Sequence, residues 1–267
     1  MVTTFTALWG IVRERHELIY ELTQRELRDR HNRQIFGTLW EYGHPLLLML
    51  VYTGLFAYVF PTRYSSGDQG RDYATCILAG ILPWLVFQEL LARSPVILLG
   101  HANLVKQIIF PVETLPVKTV LASTIPYLVG LIFTIFYSLW HGNLTLFSLI
   151  IPWLILCQFL AMLGVAFFLS AAGVFFHDLR ELIRIFCTVN LFAQPILYNP
   201  YATPKWMTMI FHLNPFSYLT WCWQDALYYG MPVHLEAWFA LPLLSLFSLW
   251  LGWTTFRQTH HLFGDAL

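Results

Sequence analysis

The side chains able to do chemistry in this 267-residue chain are few and poorly grouped. Its ten histidines give no metal pattern, and the one adjacent pair, His260-His261, points to different sides of a helix. Cys76, Cys157, Cys187 and Cys222 lack CxxC spacing, and three of them lie in or beside apolar runs, where a thiol acts as a small buried hydrophobe. His177-Asp178 is the nearest approach to an acid–base pair, without an evident nucleophile-and-base constellation. There is no GxxxxGK[ST] loop and no GxGxxG, so energy from a nucleotide has to come through a partner. Two stripes remain. Cys187, Asn190, Gln194 and Tyr198 are spaced to share one helical face, which in lipid must look toward protein or water. That face serves either an inter-helix hydrogen bond or the wall of a polar path. Tyr42, Met49, Tyr52 and Phe56 form a second stripe of soft and aromatic side chains, suited to stacking on sugar rings or to ordinary packing.

The elements that must position these residues are membrane helices. The chain is 57% hydrophobic, 17% aromatic and 11% charged, against about 25% charged in soluble domains. Fifteen Lys+Arg balance fifteen Asp+Glu, which leaves no basic field for nucleic acid. Runs long enough for a bilayer lie near residues 45–60, 74–92, 119–140, 148–176, 182–199 and 236–256, and the spacing predicts six spans. Phe36, Leu39 and Trp40 extend the first inward, and the fourth is long enough to tilt or protrude. With both termini cytoplasmic, twelve of the fifteen Lys and Arg fall inside. No secretory signal is visible, so the N-terminus is expected to stay inside. The spans are nearly free of ionisable groups; Glu89 and Arg93 sit near the end of the second, within reach of the interface.

Residues 1–35 place Phe5, Leu8, Trp9, Val12, Ile19, Tyr20 and Leu27 at helical spacing among charges, which predicts an amphipathic helix in the membrane surface. That helix is either an anchor or a docking surface. Residues 200–235 are rich in aromatics and broken by Pro204, Pro215 and Gly230. They read as two short interfacial or re-entrant helices at the outer side, joined at Asn214-Pro215. Asn143-Leu144-Thr145 matches a three-residue glycosylation sequon and is assigned no role.

Several segments resemble the permease subunits of type-2 ABC exporters, in particular those that export O-antigen, capsule and teichoic acid chains. The run from Arg25 to His31, followed by Gly37-Thr38-Leu39-Trp40 and Pro45, is similar to that family's opening motif, with His31 where Tyr is usual. Residues 103–116, from Asn103 to Pro116, are the most specific match, and Phe175 to Leu182, Gln194 to Tyr198 and Asn214-Pro215-Phe216 add to it; Arg is common where His177 stands. The resemblance covers nearly the whole chain.

It implies one all-α transmembrane unit over residues 1–267, with six spans within 36–257, working as a homodimer in the bacterial inner membrane with both termini cytoplasmic. Two copies of a separate ATPase would bind ATP and Mg2+, with no cofactor in this chain. The cargo would be a lipid-linked polysaccharide. Motor contacts would come from the surface helix (Arg25, Glu26, Arg28, Asp29), from the 98–116 coupling loop (Leu104, Val105, Lys106, Phe110) stiffened by Pro111 and Pro116, and from Asp178, Arg180 and Glu181. Tyr42, Met49, Tyr52, Phe56, Asn190, Gln194 and Tyr198 would line the path. Trp206, Phe211, Asn214, Pro215 and Phe216 would belong to an outer gate at 200–235. Arg28, Arg30 or Arg33 is the candidate cation for a pyrophosphate. Two rivals are a drug or small-lipid exporter of the same superfamily and a membrane enzyme acting on lipid-linked sugar through His177 and Asp178.

Overall fold

The computed structural model describes residues 10, 13–30, 37, 39–59, 72–106, 110–198 and 203–266. Phe5, Leu8, Trp9 and Val12 of the expected surface helix, Arg33, and residues 107–109 of the expected coupling loop lie outside these. The described residues form an all-helical protein with five helices long and apolar enough to cross a membrane.

Helix α1, His16–Asp29, carries Ile19 and Thr23 on its buried side and packs along the helix at Thr114–Thr124. Helix α2, Leu39–Gly54, runs on as a wider π-type turn, Leu55–Val59. It starts six residues before the apolar run at 45–60 and so takes Glu41 and His44 into its first turns. Helix α3, Tyr73–Arg93, is the central strut, buried along most of its length. It is apolar all round, as a helix enclosed by other helices must be. Helices α4, Thr114–Thr124, and α5, Tyr127–Trp140, make one span broken at Ile125-Pro126, where proline removes a backbone donor. Pro116 therefore sits in the first turn of α4, where a missing N–H costs little, and the connecting loop ends before it.

A tight turn, Leu146–Ile150, leads into α6, Ile151–Phe175. This helix packs against α10, Leu235–Thr259, at backbone distance: a Cβ on Gly252 would lie 1.9 Å from the Gly164 carbonyl oxygen. Small residues allow such approach where lipid supplies no hydrophobic drive between helices. Gly173 meets the Pro95 carbonyl as closely and brings the end of α6 against the segment after α3.

The fifth apolar run differs from its expected form. Helix α7 covers only Leu179–Phe192, about 21 Å long at 1.5 Å per residue and short of a 30 Å hydrocarbon layer. Pro195 explains the stop, because it cannot continue the hydrogen-bond ladder and disfavours helical backbone before it. Helices α8, Lys205–Leu213, and α9, Pro215–Gln224, form the hairpin expected at Asn214-Pro215. The Asn214 side chain accepts the Phe216 N–H at 3.1 Å while Pro215 occupies the first helical position, so cap and proline start α9 together.

Candidate functional site: a charged cluster at one end of the spans

The run Arg25 to Arg30 forms the end of α1 and divides by side. Arg25 and Asp29 pair across the exposed face at 3.6 Å, and Arg28 is exposed, so all three lie on the outward side of the helix. Glu26 and Arg30 turn inward. The Arg30 guanidinium, 5% exposed, donates through Nη1 to Glu41 Oε1 at 2.7 Å, to Glu89 Oε1 at 2.9 Å and to the Ala122 carbonyl at 2.9 Å, and through Nη2 to Glu26 Oε1 at 3.0 Å. One planar fork thus joins α1 to α2, α3 and α4, a task for which a point-charge ammonium is poorly shaped. Arg30 is therefore not the free cation expected for a pyrophosphate.

Lys118 extends the cluster. Its ammonium lies 3.0 Å from Glu26 Oε2 and 2.9 Å from His101 Nε2. His101 Nδ1 is 2.8 Å from the Ile97 carbonyl, which can only accept, so Nδ1 carries the proton and Nε2 accepts from Lys118. Arg93 closes the far side with an Nε donation of 3.1 Å to Glu89 Oε1. Three cations face three carboxylates. Burial raises the Glu26 carboxyl pKa, but Lys118 and Arg30 outweigh it and hold the carboxyl below its usual range. Beside the cluster a cleft of about 470 Å3 opens between α2 and α3, lined among others by Trp40, His44, Gln88 and Arg93.

The three segments expected to meet a motor gather at this end. Lys118 holds α1 and the turn at His101, and Gly173 seats the approach to residues 177–184 against Pro95. Leu104, Val105 and Phe110 are half-buried and Lys106 is exposed. Asp178, Arg180 and Glu181 are exposed, and Glu181 pairs with Arg184 at 3.1 Å rather than with Arg180.

The residues expected along a path separate. Asn190 and Gln194 are buried inside the protomer. Asn190 Oδ1 accepts from Asn214 at 2.7 Å and ties the hairpin to α7, and Gln194 Oε1 accepts from Thr220 at 3.0 Å and ties it to the turn after α7. Both amides are engaged in inter-helix hydrogen bonds within this chain. The shared face itself breaks, because α7 ends at Phe192 and leaves Gln194 and Tyr198 in the following turn. Met49 is fully buried, Tyr52, Phe56 and Tyr198 are half-buried and packed on the core, and Tyr42 is exposed.

In the hairpin, Phe211 is buried and Phe216 sits edge-on to Trp84 and Phe87, at 5.3 and 5.1 Å. Trp206 and Pro215 are exposed. Sequence reasoning missed the residue that fixes the hairpin to α10. Asp225, fully buried, accepts the ring Nδ1–H (2.8 Å) and backbone N–H (3.0 Å) of His234 and the indole N–H of Trp238 (2.9 Å). An acid inside the aromatic run Trp221 to Tyr229 was the available signal, since such a group needs partners.

An all-helical membrane protein with a charge-laced end and a hairpin of two short helices is the class that this fold defines. Comparison with known proteins makes it specific: residues 17–228 match the ABC-2 type transporter family, and the chain belongs to that family. It is similar to the O-antigen export system permease protein RfbA of Myxococcus xanthus, 25% identical over 264 residues, 96% of this chain and 99% of that protein. It is also similar to the RfbA protein of Klebsiella pneumoniae, 22% identical over 253 residues, 94% of this chain and 95% of that one. The polysialic acid transport protein KpsM of Escherichia coli is 21% identical over 231 residues, 84% of this chain and 85% of KpsM. This chain is thus a multi-pass membrane subunit of an ABC transporter, and membership implies an ATPase partner that uses ATP and Mg2+.

Proposed function

We propose that this chain is the membrane subunit of an exporter that moves a lipid-linked polysaccharide across the bacterial inner membrane. The observation that carries the reading is the end-to-end match to permeases named for O-antigen export. Two copies form the path, and two copies of the ATPase engage Arg25, Arg28, Asp29, Lys106, Asp178, Arg180 and Glu181 from the cytoplasm, where both termini lie. The ion pairs that tie α1 to α2, α3 and α4 support this, because work done by a soluble motor has to enter through rigidly held contacts.

The path runs between the copies along α2 and α7. Tyr42, with Tyr52 and Phe56 behind it, supplies aromatic faces to passing sugar rings. The hairpin α8–α9 gates the outer mouth, with Trp206 at its rim and Asn190 and Gln194 as the struts that hold it. The test is co-purification with the ATPase, followed by ATP turnover in proteoliposomes with and without lipid-linked glycan. Glycan-dependent turnover supports the reading. Turnover that responds to amphipathic drugs and ignores glycans would replace it with a drug exporter.

A further inference from the structure

The buried cluster has a feature that stability does not explain. Six charged side chains from four helices, Glu26 and Arg30 of α1, Glu41 of α2, Glu89 and Arg93 of α3 and Lys118 of α4, are joined by direct contacts. Taking charges out of water is costly, and well-packed apolar side chains commonly hold helices as well or better. What ion pairs add is direction. Apolar surfaces slide over one another, whereas a fork bonded to several oxygens resists both displacement and rotation.

The connections are ordered. Lys118, 4% exposed, is the one described cation that holds both α1, through Glu26, and the turn before Ala102–Val105, through His101. On the exporter reading, those are two of the elements that face the motor. Arg30 then carries the end of α1 to Glu41, in the first turn of the first span, and to Glu89 near the inner end of α3.

We propose that Glu26, Lys118 and Arg30 are positioning residues that couple the motor to the path: Lys118 locks the surface helix to the coupling turn, and Arg30 passes their joint displacement to the first span. They touch neither nucleotide nor cargo. The inference rests on the exporter reading above and adds to it which residues transmit the stroke.

The experiment uses the complete complex of this chain and its ATPase, reconstituted in proteoliposomes with lipid-linked glycan. The variant is the double substitution Glu26→Gln with Lys118→Met, which removes one cation and one anion and leaves Arg30 and Arg93 facing Glu41 and Glu89. The readout is glycan exported per ATP hydrolysed, which a purely structural role would not move in an intact complex. The expected result is an assembled complex that still hydrolyses ATP, with export per ATP reduced about tenfold. Arg30→Lys keeps the charge and loses the fork, and it is expected to show the same loss of coupling. An assembled double variant with unchanged export per ATP overturns the proposal. So does failure of both variants to assemble, because the cluster is then structural. The exporter reading fails separately, and visibly, if the unaltered complex does not respond to glycan.

Discussion

The α6–α10 seam offers the sharpest physical test of the fold. A methyl group on Gly252 would lie 1.9 Å from the Gly164 carbonyl oxygen and 2.7 Å from its carbonyl carbon, with backbone as the obstacle in both cases. To bring the closer contact to the 3.0 Å that real Cβ atoms keep, the helices must part by about 1.1 Å. A gap of that size forfeits a quarter to a half of the attraction at each contact along the seam, and neither water nor a lipid chain refills it. The seam also carries the Ser248 hydroxyl bond to the Ala161 carbonyl at 3.0 Å and Phe167 edge-on to Trp253 and Phe256, both at 5.2 Å. Since backbone cannot swing away, Gly252→Ala should cost about 2–3 kcal/mol, in the upper part of the overpacking range. That corresponds to a fall of about 5–10 °C in the midpoint for a chain of this size. The control is Gly43→Ala in α2, where nothing lies within 4 Å of the new methyl and helix propensity predicts no loss or a small gain. The assay is the monodisperse fraction left after heating in detergent, read by size-exclusion chromatography. A Gly252→Ala midpoint within about 2 °C of wild type would refute the backbone contact.

Other outcomes follow from the buried polar groups. Arg30→Met leaves Glu26, Glu41 and Glu89 without their shared cation and should destabilise by about 3–5 kcal/mol in the same heating assay. Because the folded Glu26 pKa is lowered from 4.5, its contribution is present above that value and is lost as pH falls through the folded one. The stability gap between wild type and Glu26→Gln should accordingly narrow on acidification below about pH 4.5, and a pH-independent gap would contradict the pairing. Asn190→Ala removes one of the two acceptors of the Asn214 amide and leaves its 2.8 Å bond to the Ala193 carbonyl, so it should loosen the hairpin by about 0.5–1.5 kcal/mol, seen as faster proteolysis of residues 203–214, whereas a residue that only lined a path would leave that rate unchanged.

Much of this architecture is legible in apolar runs and punctuation. The spans at α3, α6 and α10 follow from uninterrupted hydrophobicity, and Asn214-Pro215 announces the hairpin because cap and proline act locally. Two things were not legible for physical reasons. The periodicity that put Gln194 and Tyr198 on one helix with Asn190 takes no account of Pro195, and the helix ends before them. Whether an amide faces a path or a neighbouring helix depends on tertiary placement, which spacing along one helix does not encode. The charged cluster was missed because its members are scattered from Glu26 to Lys118: Glu89 and Arg93 read as residues reaching for the interface, Glu26 as a motor contact and Arg30 as a cation for a pyrophosphate. Glu41 lay outside the apolar run, so its place inside the first helix emerged only with Arg30 beside it.

Export of a lipid-linked glycan by this chain is best tested in cells. The chain is depleted from its host, and the lipid-linked glycan is quantified on the cytoplasmic leaflet and on the cell surface. The account predicts loss of glycan from the surface with accumulation of complete chains inside, reversed by the intact protein. Unchanged surface glycan, or incomplete chains inside that point to a synthetic defect, would contradict it.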